Sequence, residues 1–155
     1  MSDSLDAVWK WYTYACDSIK VAARLVETDP EAIPASVVFA FDAPEVTLES
    51  LNRAQGEIDN LTVLALFAVF ERSLLDHLKS TSNKVKHSLS TPLEKSLVSR
   101  GLKDKETERW PLGDILDVYK VVVDSDLVGL VKQVKRYRDW IAHGKKRSMP
   151  ARVDP

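Results

Sequence analysis

One cysteine, five glycines and no long apolar run remove several classes of protein from consideration for this 155-residue chain. A lone Cys16 leaves no partner for an intrachain disulfide and no thiolate set for a metal. The glycines form no phosphate-cradling loop, no Walker pattern is present, and no carboxylate cluster of the nucleotidyltransferase kind occurs. The longest apolar run, Leu61 to Phe70 with Thr62 inside it, is about half a membrane span. The acidic start, Met1-Ser2-Asp3-Ser4-Leu5-Asp6, lacks the basic, apolar and small-residue order of a signal peptide. The expectation is a cytoplasmic protein without a membrane partner. His77 and His87 lie ten positions apart with no suitable carboxylates nearby, so neither a metal nor a cofactor is expected.

A net charge of −1 conceals an uneven distribution. From Glu27 to Glu49 there are six acidic residues (Glu27, Asp29, Glu31, Asp42, Glu45, Glu49) and no basic one. From Val131 to Arg147 seven basic residues (Lys132, Lys135, Arg136, Arg138, Lys145, Lys146, Arg147) face a single acid, Asp139. A local positive excess of that size attracts a polyanion. Part of it also has a plain structural reason, since cations are favoured near a helix C-terminus.

Apolar periodicity predicts helices throughout. Val8, Trp11/Tyr12, Ala15, Ile19, Ala22/Ala23 and Val26 recur at helical spacing, giving a first helix from Leu5 to about Glu27 that Asp29-Pro30 ends. Trp9, Trp11, Tyr12 and Tyr14 are read as packing residues, and Cys16 as a small core residue. The stretch from Ile33 to Pro44, with the apolar run Val37 to Phe41, reads as an extended segment. Thr47 is placed to cap a second helix reaching about Ser80, apolar nearly all round between Leu61 and Leu78 except at Glu71. Thr81 to Ser90 reads as a loop, and Thr91-Pro92-Leu93-Glu94 as a capping box opening a short helix that Gly101 closes. After a charged connector, Lys103 to Arg109, a short helix follows Trp110-Pro111. Ser125 is then placed to cap a last helix, Asp126 to His143, with Gly144 at its end. The fold class is all-α, a bundle of four or five helices.

The last helix carries the chemistry. At roughly 100° per residue, Leu127, Leu130, Val131, Val134 and Ile141 form one stripe with Arg138 in its middle. A guanidinium there needs an interior partner, since burying it alone costs several kcal/mol. Glu71, set in the apolar second helix, is that expected partner. Asp139 and His143 are four apart and share another face, so the aspartate can accept the imidazole N–H and support its charged form. Histidine ionises near neutrality, which suits a group that both takes and gives a proton. Arg138 and His143 are about 140° apart on one helix, so they meet at one phosphate most easily across a symmetric dimer. Against this stands the ordinary reading: a helix-terminal histidine, and an arginine that only ties two helices together.

The segment Arg138-Asp139-Trp140-Ile141-Ala142-His143-Gly144 resembles the signature of HEPN domains, an arginine followed by a polar residue and then a histidine after four to six positions. Here the spacer is four. The resemblance extends from about Glu57 to Lys146 and implies a single HEPN-like domain over residues 1–147 with a short tail, 148–155. It implies a homodimeric, metal-independent endoribonuclease of the toxin or defence type. His143 would act on the 2′-hydroxyl or the leaving oxygen, Arg138 would bind the scissile phosphate, Asp139 would hold His143, and Glu71 would support Arg138. Arg136, Lys145, Lys146 and Arg147 are candidates for the RNA backbone. The implied partners are RNA, a second copy and, in some systems, a separate nucleotidyltransferase-type antitoxin chain. The competing reading is a non-catalytic module of the same kind that binds a nucleotide or a protein. A DNA-recognition helix is disfavoured, because the basic side chains are spread around the helix.

Overall fold

The computed structural model describes residues 2–93, 110–146, 148 and 150. The described chain is helical and contains no strand. Helix α1 spans Ser2–Thr28, α2 Pro44–Ser88, α3 Leu112–Tyr119 and α4 Ser125–Ala142, with a 3-10 turn at Pro30–Ala32. None of the described helices is long and apolar enough to cross a membrane. The all-α class expected from periodicity holds. Two compact units form, Met1–Leu66 and Phe67–Pro155.

In the first unit α1 follows its apolar period. Cys16 and Val26 are buried, and Val8, Tyr12, Ala15 and Ile19 are half-buried beside them. Gln55 on α2 donates to Cys16 Sγ at 3.1 Å, and Tyr12 Oη donates to Asp59 at 3.1 Å. Trp9, Trp11 and Tyr14 are exposed, which corrects the reading of the whole aromatic set as packing residues. They lie on the flanks and back of the helix, where Tyr12 alone of the four reaches inward.

Residues 34–42 form turns rather than the expected extended segment, and Ile33 before them has extended backbone. After the Pro30–Ala32 turn, Val37 N–H donates to Pro34 O, Ala40 N–H to Val37 O and Asp42 N–H to Phe39 O, all between 3.0 and 3.2 Å. Pro30 and Pro34 have φ fixed near the value these turns use. Short local bonds thus satisfy a backbone that no neighbouring strand is there to pair.

Helix α2 begins and ends outside its expected limits. Pro44 takes the first position, where a missing N–H costs nothing. Thr47 is therefore inside the first turn, donating its N–H to Ala43 O, with its side chain buried rather than capping. The stretch read as a loop from Thr81 is helical to Ser88. It contains neither glycine nor proline, and the propensity cost of its polar residues is only a few tenths of a kcal/mol each. Pro92 and Leu93 are helical, but Gly101 and the connector Lys103 to Arg109 lie outside the described residues.

The second unit is built on Phe67, Leu112, Ile115, Leu116 and Val128, with Phe70, Leu74, Leu75, Leu78 and Val131 packed against them. Each such buried side chain is worth roughly 1.5–3 kcal/mol of removed apolar surface. Tyr119 ties α3 to α2, donating to Leu74 O at 3.4 Å and sharing a 2.7 Å hydrogen bond with His77 Nδ1. On α4 the inward line is Val128, Val131 and Arg138. Leu127, Leu130 and Val134, expected to share the apolar stripe, are exposed by 51%, 40% and 36%. The helix is turned so that Val128 faces the core and this other apolar row faces outward.

Candidate active site at the end of the last helix

Both ends of α4 are fixed by identifiable bonds. Asp124, not Ser125, is the N-cap: its carboxylate accepts from Asp126 N–H at 2.7 Å and from Leu127 N–H at 3.4 Å. At the other end His143 is the C-cap. Gly144, at φ +72°, donates its N–H to Ile141 O, and Lys145 donates to Trp140 O, each at 2.9 Å. That pair of bonds is a Schellman motif, and the left-handed φ at Gly144 is the reason a glycine stands there. The motif sets the backbone from which the His143 ring projects.

Arg138 is held from three sides. One terminal nitrogen donates to Glu71 Oε1, the pairing expected from the sequence. The other lies 3.0 Å from Asp139 Oδ1. The guanidinium also covers the ring of Phe67, 4.8 Å from its centroid. Its Nε is buried without a hydrogen-bond partner among the described residues. This side chain is 23% exposed and Glu71 is 31% exposed, so the pair is largely withdrawn from water.

Asp139 does not hold His143 as expected. Its carboxylate takes Lys135 Nζ at 2.6 Å and the Arg138 guanidinium instead, and the His143 ring makes no hydrogen bond to a described residue. The physical reason is proximity: a lysine one turn before the aspartate and an arginine next to it are charged donors within reach, and together they occupy its carboxylate. The two cations offset the negative charge that Asp139 brings to this end of the helix.

His143 is exposed at a cleft of about 570 Å³ that is also lined by Arg136, Asp139, Trp140, Lys146, Ser148 and Pro150. Among the residues chosen from the sequence, the cleft therefore gathers Arg136, Asp139, His143 and Lys146. Arg138 and Glu71 are turned to the interior, and Lys145 does not line the cleft. Arg147 lies outside the described residues. Trp140, which sequence reasoning did not assign to the site, supplies an aromatic wall. It sits three positions before the histidine, a spacing that already places both on one side of a helix end.

His77 and His87 have structural partners, Tyr119 and the carbonyl of Asn83, the latter at 2.7 Å. Among the described residues no group of three or more histidine, cysteine, aspartate or glutamate side chains is placed to hold a metal ion. No family model, curated protein or solved structure matches the chain.

Proposed function

We propose that this chain is a metal-independent RNA endonuclease of the HEPN type, acting at the cleft around His143. The observation that carries the reading is an exposed imidazole beside two cations, Arg136 and Lys146, and an aromatic side chain, Trp140, in one cleft. Cations engage phosphate, an aromatic face takes an unstacked base, and an imidazole moves the proton. In the reaction the 2′-oxygen attacks the adjacent phosphorus as its proton passes to a base. The bond from phosphorus to the 5′-oxygen breaks, and that oxygen receives a proton. The products are a 2′,3′-cyclic phosphate and a 5′-hydroxyl. One imidazole can serve in turn, or the His143 rings of two copies can divide the two transfers.

Two copies are the favoured arrangement because the exposed row Leu127, Leu130 and Val134 on α4 offers an apolar seam for a second copy. Arg138 can reach a phosphate only by releasing Glu71 and Asp139. Its first role here is to position the final turn of α4, while Arg136 and Lys146 supply the cations facing the cleft. The engagement of Arg138 also gives the alternative its one supporting observation: a module that binds RNA or a nucleotide without cutting needs no free arginine.

Incubation of RNA with purified protein in excess EDTA separates the two. Cleavage by wild type and not by a folded His143→Ala protein is the expected result. Equal cleavage by both refutes the role of His143. No cleavage by wild type, with RNA binding that Arg136→Ala and Lys146→Ala weaken, assigns the cleft to a binding module.

A further inference from the structure

A second feature of the molecule, in the first unit, stands independently of the RNA site. Along α1, Tyr14, Val21 and Leu25 line one wall of a groove of about 460 Å³, and Ile33, Val37 and Phe39 from the turns that follow line the other. The lining positions on α1 recur at helical spacing, so this is a continuous face of the helix rather than a scatter of side chains. Tyr14 and Val21 are 63% and 60% exposed, and next to the lining residues Val38 and Phe41 stand almost free, at 97% and 85%. Apolar groups exposed together to this degree mark an interaction surface.

Charge identifies what the surface fits. Between Asp17 and Glu45 there are six acidic residues and two basic ones, Lys20 and Arg24, a formal charge of −4. Lys20 is already paired with Asp17 at 3.2 Å. Asp29 and Glu31 fall between the lining residues Leu25 and Ile33, beyond the end of α1, and Asp42 follows Phe39 by three positions. All three carboxylates are exposed and form no ion pair with a described residue. By contrast Glu49, beyond the groove, is paired with Arg53.

We propose that this groove docks a basic amphipathic helix of a partner protein, its apolar face against Val21, Leu25, Ile33 and Val37 and its cations against Asp29, Glu31 and Asp42. An apolar groove receives such a helix through side chains one turn apart, and an acidic rim selects the sign of the flanking charge and speeds encounter. The turns at 30–43, a segment unconnected to the RNA cleft's chemistry, thereby acquire a role as the second wall of the dock.

The test uses the full chain and a fluorescein-labelled helical peptide of leucine and lysine, about 15 residues long, read by anisotropy. A leucine–glutamate peptide of the same pattern and a scrambled leucine–lysine peptide serve as comparisons. Saturable binding of the patterned basic peptide, with a Kd below about 100 µM, is expected. Val21→Lys, at a position exposed enough to spare the fold, should weaken it at least about tenfold. The triple variant Asp29→Asn, Glu31→Gln, Asp42→Asn should weaken it by about the same factor and flatten its salt dependence. Equal binding of the acidic or scrambled peptide, no saturable binding, or unchanged binding by both variants overturns the proposal. So does peptide binding that falls as the protein self-associates, with Val21→Lys abolishing that association, because the occupant is then a second copy.

Discussion

Replacing either member of the Arg138–Glu71 pair should destabilise the second unit by an amount set by how far the pair is withdrawn from water. Removing one partner of a fully buried ion pair costs about 3–5 kcal/mol. These side chains keep 23% and 31% of their exposure, which reduces the ion-pair share to roughly 2 kcal/mol. Arg138→Ala also loses the Phe67 contact, worth about 0.5–1 kcal/mol, and so should cost roughly 3 kcal/mol in all. Glu71→Gln leaves Arg138 its contacts with Asp139 and Phe67 and a neutral acceptor, so about 1–1.5 kcal/mol is expected. For a chain of this length each kcal/mol lowers Tm by about 2–4 °C, so the two variants separate clearly in a urea or thermal melt. The double variant Glu71→Leu, Arg138→Leu should cost less than the sum of its single changes, because neither charge is then left unpaired. The exposed pair Arg53–Glu49, at 77% and 65% exposure, is the internal comparison: Arg53→Ala should cost no more than about 0.5 kcal/mol. A Glu71→Gln protein as stable as wild type would refute the reasoning, since it would mean that water rather than Glu71 satisfies the guanidinium.

Other outcomes follow from the same geometry. Asp124→Ala should cost about 1 kcal/mol in a denaturant melt and Ser125→Ala close to nothing, because the carboxylate of Asp124 alone holds the first amides of α4. The phenol of Tyr12 is pushed up to about 12 by its hydrogen bonds with Cys16 and the Asp59 carboxylate. Absorbance titration should therefore show a tyrosine ionising well above pH 10 that Tyr12→Phe removes. Its folded value is the raised one, so the stability it confers is present below pH 10 and lost as pH rises toward 12. Asp117, between Lys120 and Lys132, is held down to about 2 by their hydrogen bonds, and its contribution should disappear as pH falls from about 4 toward 2, absent in Asp117→Asn. Gly144→Ala should destabilise by about 1 kcal/mol through the left-handed φ and, under the proposed function, should slow RNA cleavage more than that loss explains, because His143 projects from the same turn.

Much of this was readable from the chain because it depends on short spacings. The α1 period, the end of α4 at Gly144 and the Arg138–Glu71 pairing follow from helical geometry and from the cost of an unpartnered interior charge. What escaped depended on comparing near-equal local choices. Asp124 and Ser125 are both good caps one residue apart, and the difference between them decides only where α4 begins. Residues 81–88 are mostly middling helix formers, Lys84 and Lys86 apart, and nothing in them stops a helix already 37 residues long. The rotation of α4 that puts Val128 inward and Leu127, Leu130 and Val134 outward is a tertiary outcome: both rows are apolar, and only packing against Phe67 and Leu116 distinguishes them. Lys135 as the partner of Asp139 was legible in its four-residue spacing, but His143 stands at the same spacing on the other side, and spacing alone does not choose between them.

The division of labour along the last turn of α4 bears on how any mutant of the arginine–histidine motif is interpreted. Arg138 is bound to Glu71 and Phe67 of α2, and Asp139 is bound to Arg138 and Lys135 within α4, so two side chains of α2 tie this turn to the rest of the second unit. Two residues later the Schellman bonds begin, and they set the backbone of His143. Removal of Arg138 would thus release the support from which the imidazole projects, and the proposed RNA cleavage would fall whether or not the guanidinium ever meets a phosphate. Arg138→Lys discriminates. A lysine keeps a charge for Glu71 but loses the two-sided reach to Asp139 and the planar cover over Phe67. If Arg138 only positions the helix end, Glu71→Gln should reduce turnover in parallel with Arg138→Lys, with KM for RNA little changed in either. If Arg138 binds phosphate, Arg138→Lys should raise KM while Glu71→Gln, which frees the guanidinium, should lower it. The sign of the Glu71→Gln effect on KM therefore decides between the two roles without an unfolded protein entering the comparison.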